Sequence, residues 1–450
     1  MSIPGGGDAD PQPRLQVAHR PLLQRLANAA TLDLRPLRAH RDFRLLYFGQ
    51  LVTSFGNNLT TVAVLYQIFA LTHSPLAVGI LGLVQFVPLL LLAVVGGTLA
   101  DAIDRRRMVQ ITELALAGLS AALVVNALLP EPQLWALYVV GALAAGLAGL
   151  QRPALIAFIP RLVDAEELVG AIALTKLRQS LGQIVGPAVA GLVIASMGLP
   201  GAYGIDVATF VVSLIALRSM RAAPPPLRTP RVSLRSVLDG LRYVRSRPIL
   251  WGMYLVDFVA TFFAWPTAVF PALAALYTRG QAALPAATAL GLLYASPAVG
   301  ALVASATSGW TRRVHRQGRG VLLAVLAWGL AITYLGLAPS LWLALLCLVL
   351  MGGANLISSV FRGALSAQST PDALRGRLAG IELICFTSGP ILGDAEAGAV
   401  ATLFTPGVAV LSGGLLCLLG VSLLALLLPS LRAYDARSPL VGHAVPKITG

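Results

Sequence analysis

Ionisable side chains within long apolar stretches are the residues of this chain best suited to chemistry. A charged group at the centre of a bilayer costs about 3 kcal/mol on insertion scales, so such groups are usually kept to bind ions or substrates or to carry protons. Four of them are Asp206, Asp257, Glu382 and Arg178. We expect these residues to take part in coupling or substrate binding. The alternative for each is a buried ion pair that holds neighbouring helices in register.

Asp257 is the first candidate for proton coupling or for binding a cationic group of a substrate. Apolar residues flank it, and several aromatic residues between 254 and 265 are suited to line a cavity for a large ligand. Glu382 is the second candidate, with Lys176 or Arg178 as its ion partner. Asp206 lies near one end of its apolar stretch, so it either takes part in coupling or reaches the membrane interface.

The composition shows which elements must hold these residues. Of the 450 residues, 57% are apolar and only 12% are charged, whereas soluble domains have about 25% charged residues. A water-soluble enzyme and a disordered chain are therefore excluded. A membrane-spanning helix needs about 20 apolar residues. The apolar stretches are 43–71, 76–100, 107–129, 134–155, 168–196, 200–219, 249–275, 286–310, 320–337, 341–361, 376–402 and 407–429.

We therefore predict an all-α membrane protein with twelve transmembrane helices. The predicted parts are an N-terminal leader (1–42), a first six-helix bundle (43–219), a linker (220–248), a second six-helix bundle (249–429) and a tail (430–450). The linker contains a proline run followed by basic and apolar residues at helical spacing. This pattern indicates either an amphipathic helix on the membrane surface or a solvated linker helix.

The distribution of basic residues predicts the orientation. All of the 33 Lys and Arg residues except Lys176, Arg178 and Arg279 lie in the leader, the linker, the tail or alternate connections between the predicted helices, or at the helix ends next to them. Basic residues accumulate on the cytoplasmic side of membrane proteins. We therefore expect both termini in the cytoplasm, and we interpret the net charge of +14 as a topology signal rather than a nucleic-acid site.

The two halves of the chain repeat at an offset of about 210 residues. The segment 152–155, Arg-Pro-Ala-Leu, corresponds to 362–365, Arg-Gly-Ala-Leu, and the segment 134–137 corresponds to 341–344. Two six-helix repeats in the same orientation, related by an axis along the membrane normal, are typical of transporters that rock around a central site.

A motif between predicted helices 2 and 3 combines Gly97 and Asp101 with a basic cluster at Arg105–Arg107. A carboxylate at this place can accept hydrogen bonds from a neighbouring helix N-terminus, and the arginines can pair with it or with lipid phosphate. Such a pair would hold the conformation that is closed to the cytoplasm. The alternative is a topology signal next to a glycine turn.

This motif resembles the loop signature of the major facilitator superfamily, which has a glycine, a leucine and an aspartate before a basic run. The resemblance places Arg152 at the same cytoplasmic face, where it can relay to Asp101; Arg105 and Arg106 would complete the gating loop. Segments 72–74, 126–132 and 270–274 resemble the branch of the superfamily that contains bacterial enterobactin exporters.

Predicted helix 5 has small residues every four or five positions beside a proline, which gives a kinked helix with a smooth packing face. The residues are Gly182, Gly186, Pro187 and Gly191. The pattern resembles the helix 5 signature of antiporters and exporters in the superfamily and, on that resemblance, favours efflux over uptake. The alternative is ordinary packing of small residues.

The resemblance implies a secondary-active transporter of the bacterial plasma membrane, which exports small amphipathic molecules, siderophore-like or drug-like, by alternating access. Protons are the candidate coupling ion, although Asn57 stands where many proton-coupled relatives have an aspartate and cannot titrate. The alternatives are a broad multidrug:proton antiporter and, from another class, a membrane sensor that transports nothing. No phosphate-binding loop, metal spacing or nucleophile motif occurs, so we expect no enzyme activity, cofactor or metal; the expected partners are a small-molecule substrate and the lipid bilayer.

Overall fold

The apolar stretches fold as long helices, because a helix satisfies its backbone hydrogen bonds without water. The computed structural model describes residues 33–102, 104–221, 247–279, 284–370 and 372–435, and all regular structure in these ranges is helical. We number the long helices α1 to α12. Their bounds are Arg41–Thr72 (α1), Pro75–Ala102 (α2), Arg105–Leu128 (α3), Leu134–Phe158 (α4), 168–197 (α5), 199–218 (α6), Pro248–Tyr277 (α7), Ala286–Thr307 (α8), Gln317–Gly336 (α9), Leu341–Ser369 (α10), Asp372–Leu403 (α11) and Pro406–Leu427 (α12).

The chain is an all-α membrane protein. Within the described residues, nine helical segments are long and apolar enough to cross a bilayer, and one of them, Ala165–Arg218, has 54 residues and contains both α5 and α6. Large apolar side chains also remain uncovered by protein along the helices; Leu143, Leu350 and Leu426 are each more than half exposed. In a bilayer these side chains meet lipid.

The boundary between α5 and α6 lies in the gap between the apolar stretches 168–196 and 200–219, whereas helix α7 has an interruption that the apolar pattern does not show. The helices α5 and α6 join through a bend at Gly198, where φ is 70°, a backbone conformation that glycine adopts without strain. Helix α7 breaks after Phe263 and resumes as Phe270–Tyr277, with a short 3₁₀ turn between. We expected a single continuous span over 249–275.

Side chains from other helices satisfy the backbone at the α7 break. Trp328 Nε1 donates to the Ala264 carbonyl at 2.7 Å, and Tyr294 Oη donates to the Thr267 carbonyl at 2.8 Å. The Asp394 carboxylate accepts from the Ala268 backbone N–H at 2.8 Å and from the Thr267 hydroxyl at 2.6 Å. The break is therefore a defined structural feature, since unpaired backbone groups are costly in a membrane.

The helix ends form two faces. The arginine face holds the ends of α2, α4, α6, α8, α10 and α12 and the starts of the helices that follow them, with Arg105–Arg107, Arg161, Arg218 and Arg316 among its residues. Arg106 donates from Nε to the Leu217 carbonyl and from Nη2 to the Arg218 carbonyl, both at 2.8 Å. It thereby caps the C-terminus of α6, where a positive charge is favourable. We call the other side the opposite face.

The N-terminal half, α1–α6, and the C-terminal half, α7–α12, contact each other near the opposite face. At the start of α2, the Thr402 hydroxyl lies 3.1 Å from the Leu76 backbone N–H, which donates to it, and 3.5 Å from the Ser74 hydroxyl. Further into the membrane, an added Cβ at Gly82 would lie 3.6 Å from Ile391 of α11. A second contact joins α5 to the start of α8. The described contacts between the two halves therefore lie towards the opposite face.

Several expected features lie outside the described residues. These are the proposed surface helix in the linker, which falls within 222–246, most of the leader (1–32) and the end of the tail (436–450). The side chains of Asp101 and Glu382 and the burial of Gly97 also lie outside what the structure describes, although the backbone places Gly97 and Asp101 in α2 and Glu382 in α11.

Candidate functional site

A buried ion pair lies between α7 and α10. The Asp257 Oδ1 atom contacts the Arg362 Nη1 atom, and the two side chains are only 2% and 6% exposed. Asp257 lies in the first part of α7 and Arg362 in the last third of α10, so both are nearer to the arginine face than to the opposite face. Neither charge could be buried at low cost without the other.

An open cavity of about 270 Å³ adjoins this pair. Its walls come from α7, α10 and α11, all of the C-terminal half. The lining residues are Asp257, Thr261, Trp265, Asn355, Ser359, Arg362, Phe386 and Pro390. The Arg362 guanidinium carbon lies 5.0 Å from the centre of the Phe386 ring, a cation–π distance. The cavity therefore combines a charged pair, short polar side chains and aromatic surface.

Asp206 forms a separate polar site in the N-terminal half. Asp206 is 1% exposed. Its Oδ2 atom accepts hydrogen bonds from the Ser120 hydroxyl at 2.7 Å and from the Thr60 hydroxyl at 2.8 Å. Thr209 is also close, with its hydroxyl 3.4 Å from Oδ1. Asp206 therefore does not reach the membrane interface, which was one of the two expected outcomes; instead it joins α1, α3 and α6.

Arg178 contacts α1 in the same half. Its Nη1 atom donates to the Gln50 backbone carbonyl at 2.9 Å, and the Gln50 side-chain amide donates to the Glu113 carboxylate of α3. Glu113 is 1% exposed. The expected link between Arg178 and Glu382 stays a prediction, because the Glu382 side chain is outside the described residues. Lys176, the other suggested partner, is exposed.

The small residues of α5 pack closely on two helices. An added Cβ at Gly186 would lie 2.5 Å from the Asn58 Cβ of α1, and one at Gly182 would collide with the Ser54 hydroxyl. At Gly191 an added Cβ would lie 2.5 Å from the Ala287 carbonyl oxygen of α8. The Gly182, Gly186, Pro187 and Gly191 motif thus lies both within the N-terminal half and at its contact with the C-terminal half.

The basic residues of the loop motif contact the backbone at helix ends. Arg105 Nη1 donates to the Ala157 carbonyl at 2.6 Å, and Arg106 caps α6 as described above. Asp104 caps the start of α3 by accepting from the Arg106 N–H at 2.9 Å. Arg152 is exposed. Whether Asp101 pairs with the basic cluster stays a prediction, since the Asp101 side chain is outside the described residues.

The sequence singled out Asp257 but not its partner. The distribution of basic residues groups Arg362 with the topology signals, and nothing in the spacing of 257 and 362 indicates a contact. The available signal was general: intramembrane charges usually pair with a charge of opposite sign. Asn57 of α1 is exposed, and its amide carries no charge.

Comparison with known proteins gives a family match over nearly the whole chain. A family model described as transmembrane secretion effector, of the major facilitator type, matches residues 31–446. The enterobactin exporter EntS of Escherichia coli O1:K1 is 33% identical over 415 residues, which cover 91% of this chain and 97% of that exporter. EntS of Shigella boydii serotype 18 matches with the same identity and coverage.

Solved structures of transporters share the fold. The nucleoside transporter NupG aligns with a TM-score of 0.71 at 13% identity and covers 88% of this chain and 100% of NupG. A bacterial homologue of the iron transporter ferroportin, solved in an inward-facing state, aligns with a TM-score of 0.65 at 18% identity and covers 87% of this chain and 99% of the homologue. At these identities the likeness concerns the fold alone.

Proposed function

Because the chain belongs to the transmembrane secretion effector family of the major facilitator superfamily, we propose that it exports small amphipathic molecules from the cytoplasm by proton-coupled alternating access. Membership makes it a secondary transporter of small molecules rather than an enzyme, and a multi-pass inner-membrane protein. The proton coupling, the class of substrate and the orientation are the proposed parts.

The cavity beside the Asp257–Arg362 pair is the observation that carries this proposal. It lies within the membrane and adjoins two ionisable side chains, while the described contacts between the halves are near the opposite face. A transporter that works by alternating access needs a central site reached from one side at a time. This arrangement suits a state in which the site is reached from the arginine face.

The orientation follows from the arginines. Basic residues accumulate on the cytoplasmic side, so the arginine face is cytoplasmic and both termini are inside. The structure then corresponds to the inward-facing state, which loads substrate from the cytoplasm. The gating loop of Gly97, Asp101, Arg105, Arg106 and Arg152 belongs to the face that must close before substrate is released outside.

Protonation of Asp257 is the proposed coupling step. A proton on the carboxylate neutralises it, so the attraction that holds Arg362 in the pair is lost. Arg362 is then the charged group that faces Asp257 from another helix, and its release changes the contacts between α7 and α10. Coupling through this pair does not require a titratable residue at Asn57.

Transport by purified protein in liposomes tests the proposal. Enterobactin, the substrate named for the relatives, and ethidium, a common drug probe, would be loaded on the side that the arginine face contacts. We expect at least one of them to cross the membrane from the side that the arginine face contacts. The flux should be faster when a proton gradient drives protons towards that side. Empty liposomes and liposomes with heat-unfolded protein are the controls.

The alternatives give different results in the same assay. Flux of ethidium and of unrelated drugs at similar rates favours a broad multidrug:proton antiporter. Binding of a probe without flux at any gradient favours a sensor and overturns the transport proposal. Flux that does not respond to the proton gradient retains export and removes proton coupling.

A further inference from the structure

We infer that the cavity recognises organic anions with a flat apolar body, and that Arg362 binds the anionic group in place of Asp257. The inference rests on the proposed function, because it takes this cavity as the transport site. It narrows the proposed substrate class from amphipathic molecules in general to those that carry an acidic group, such as a carboxylate attached to an aromatic ring system.

One face of α10 provides the donors. Asn355, Ser359 and Arg362 are four and three residues apart, which places them on one side of a helix, and all of them line the cavity. The amide, the hydroxyl and the guanidinium can all donate hydrogen bonds. A row of donors on one helix suits an anion with more than one oxygen atom.

The guanidinium has capacity that the ion pair does not use. Its contact with Asp257 runs through Nη1, whereas the Nε atom is buried and has no hydrogen-bond partner within the described part of the chain. A guanidinium presents its N–H groups as a planar fork that fits two oxygens of one carboxylate. A buried donor without a partner is costly, so a bound anion would relieve this cost.

Asp257 acts as the internal occupant of the anion site. While no substrate is present, its carboxylate neutralises Arg362 and avoids an isolated buried charge. A substrate carboxylate offers the same chemistry to the guanidinium and competes for it, and the displaced Asp257 carboxylate, which also lines the cavity, then faces the water of that cavity instead of remaining an isolated buried charge. A neutral molecule cannot replace the Asp257 carboxylate at the guanidinium, so only an anion gains this charge-assisted contact. In the empty protein, Asp257 keeps Arg362 paired.

Aromatic surface faces the same space. Phe386 already lies against the guanidinium, and Trp265 and Pro390 form other parts of the wall. Flat rings stack well on such surfaces. The cavity volume of about 270 Å³ lies just below the range of about 300–1,000 Å³ that is typical of drug-sized sites. It therefore suits a bicyclic acid or one arm of a larger molecule.

Binding of three matched probes to the whole protein in nanodiscs tests the inference. The probes are radiolabelled naphthoate, the neutral naphthamide and the cationic naphthylmethylammonium, which share one ring system and differ in charge. We expect naphthoate to bind about tenfold more tightly than naphthamide, as befits charge-assisted hydrogen bonds. Equal binding of the acid and the amide, or tighter binding of the cation, overturns the inference.

Variants identify the residue that is responsible. Arg362→Gln should remove the preference for naphthoate, and Arg362→Lys should retain only part of it, because an ammonium lacks the planar fork. Asp257→Asn should tighten naphthoate binding by removing the internal competitor. Unchanged naphthoate affinity in Asp257→Asn contradicts the competition between the two carboxylates.

Arg362→Gln alone leaves the Asp257 charge without its partner and can fail to fold, so the double variant Asp257→Asn with Arg362→Gln is also measured. It removes both charges and keeps similar side-chain volumes. We expect it to bind naphthoate and naphthamide about equally, so that the preference for the acid is lost. Arg319→Gln, an exposed arginine of α9, is the matched control and should change nothing.

These outcomes separate the inference from the proposed function. Flux of enterobactin or ethidium without any preference for the acid would retain export and remove anion recognition. A preference for naphthoate that depends on Arg362 in a protein without flux would retain the anion site and remove export.

Discussion

The ion pair of Asp257 and Arg362 is the part of the chain on which the proposed mechanism depends. The sequence predicted the importance of Asp257, because an intramembrane carboxylate is rare and costly. It did not predict Arg362, since the contact joins residues 105 positions apart on helices whose packing the apolar pattern does not determine. Glu113 was also left out of the predicted site, although its burial and its bond from Gln50 make it part of a polar network.

At this residue scale, Asp257→Asn should remove the dependence of flux on a proton gradient. Asparagine is nearly the same size but cannot take up a proton, so the pair with Arg362 can no longer form and break. The measurement is flux into liposomes with and without a pH difference. A variant that still responds to the gradient as the unaltered protein does would exclude Asp257 as the coupling group.

Asp206 has a different expected role. Its carboxylate accepts from two hydroxyls of other helices, so Asp206→Ala leaves buried donors unpaired, at about 1–3 kcal/mol each. We expect a lower melting temperature in detergent, a smaller decrease for Ser120→Ala, and retained gradient dependence in both. Loss of gradient dependence at an unchanged melting temperature would show that Asp206 takes part in coupling instead.

At the scale of the helices, apolar periodicity predicted where the helices lie better than how they are interrupted. The boundary between α5 and α6 at Gly198 agrees with the predicted stretches, whereas the α7 break depends on partners from α8, α9 and α11. Pro266 disfavours helix at the residue before it, which was the available local signal for the break. The packing face of α5 was predicted, but not its contact with α8.

The α5–α8 contact gives a prediction with a matched control. Gly191→Ala adds a methyl group 2.5 Å from the Ala287 carbonyl oxygen, whereas a Cβ at Gly204 of α6 meets nothing within 4 Å. Overpacking of this kind costs about 1–3 kcal/mol. We expect Gly191→Ala to destabilise the state closed at the opposite face and to slow transport, and Gly204→Ala to leave both nearly unchanged.

The measurements are the melting temperature in detergent and the initial rate of flux. If Gly204→Ala slows transport as much as Gly191→Ala does, the effect comes from replacing a helical glycine and not from the contact. If neither variant slows transport, the two helices separate too easily for their contact to limit the cycle.

At the scale of the whole molecule, the contacts between the halves decide which side is open. The sequence predicted two six-helix halves and a cytoplasmic side, but not the side of the membrane on which the halves contact each other. Two states of a transporter differ in free energy by only a few kcal/mol, and the same apolar pattern suits both. The closure seen here depends on particular contacts, such as that of Thr402 with Leu76.

A cross-link at this place should stop the cycle. The hydroxyls of Ser74 and Thr402 are 3.5 Å apart on different halves, so cysteines at both positions should form a disulfide under oxidation. We expect oxidation of Ser74→Cys with Thr402→Cys to abolish flux and reduction to restore it. Each single variant is the control, and full flux in the oxidised double variant would show that the opposite face does not need to open.

Asp101 is expected to matter in the other state. If its carboxylate holds the arginine face closed, Asp101→Ala should slow flux while naphthoate binding in the state described here stays nearly the same. Both measurements use the same preparation. Loss of binding in Asp101→Ala would contradict a role restricted to gating.

The neutral pair of Asp257 and Arg362 also has an electrical consequence. While Asp257 is ionised and no substrate is bound, these side chains carry no net charge through the membrane field, whereas a proton on Asp257 leaves the positive charge of Arg362, which a potential that is negative inside draws inward. A bound anion adds one negative charge, and a potential of 100 mV, negative inside, pushes a charge that crosses the whole field outward by about 2.3 kcal/mol. The membrane potential alone then favours export of the anion over its re-entry.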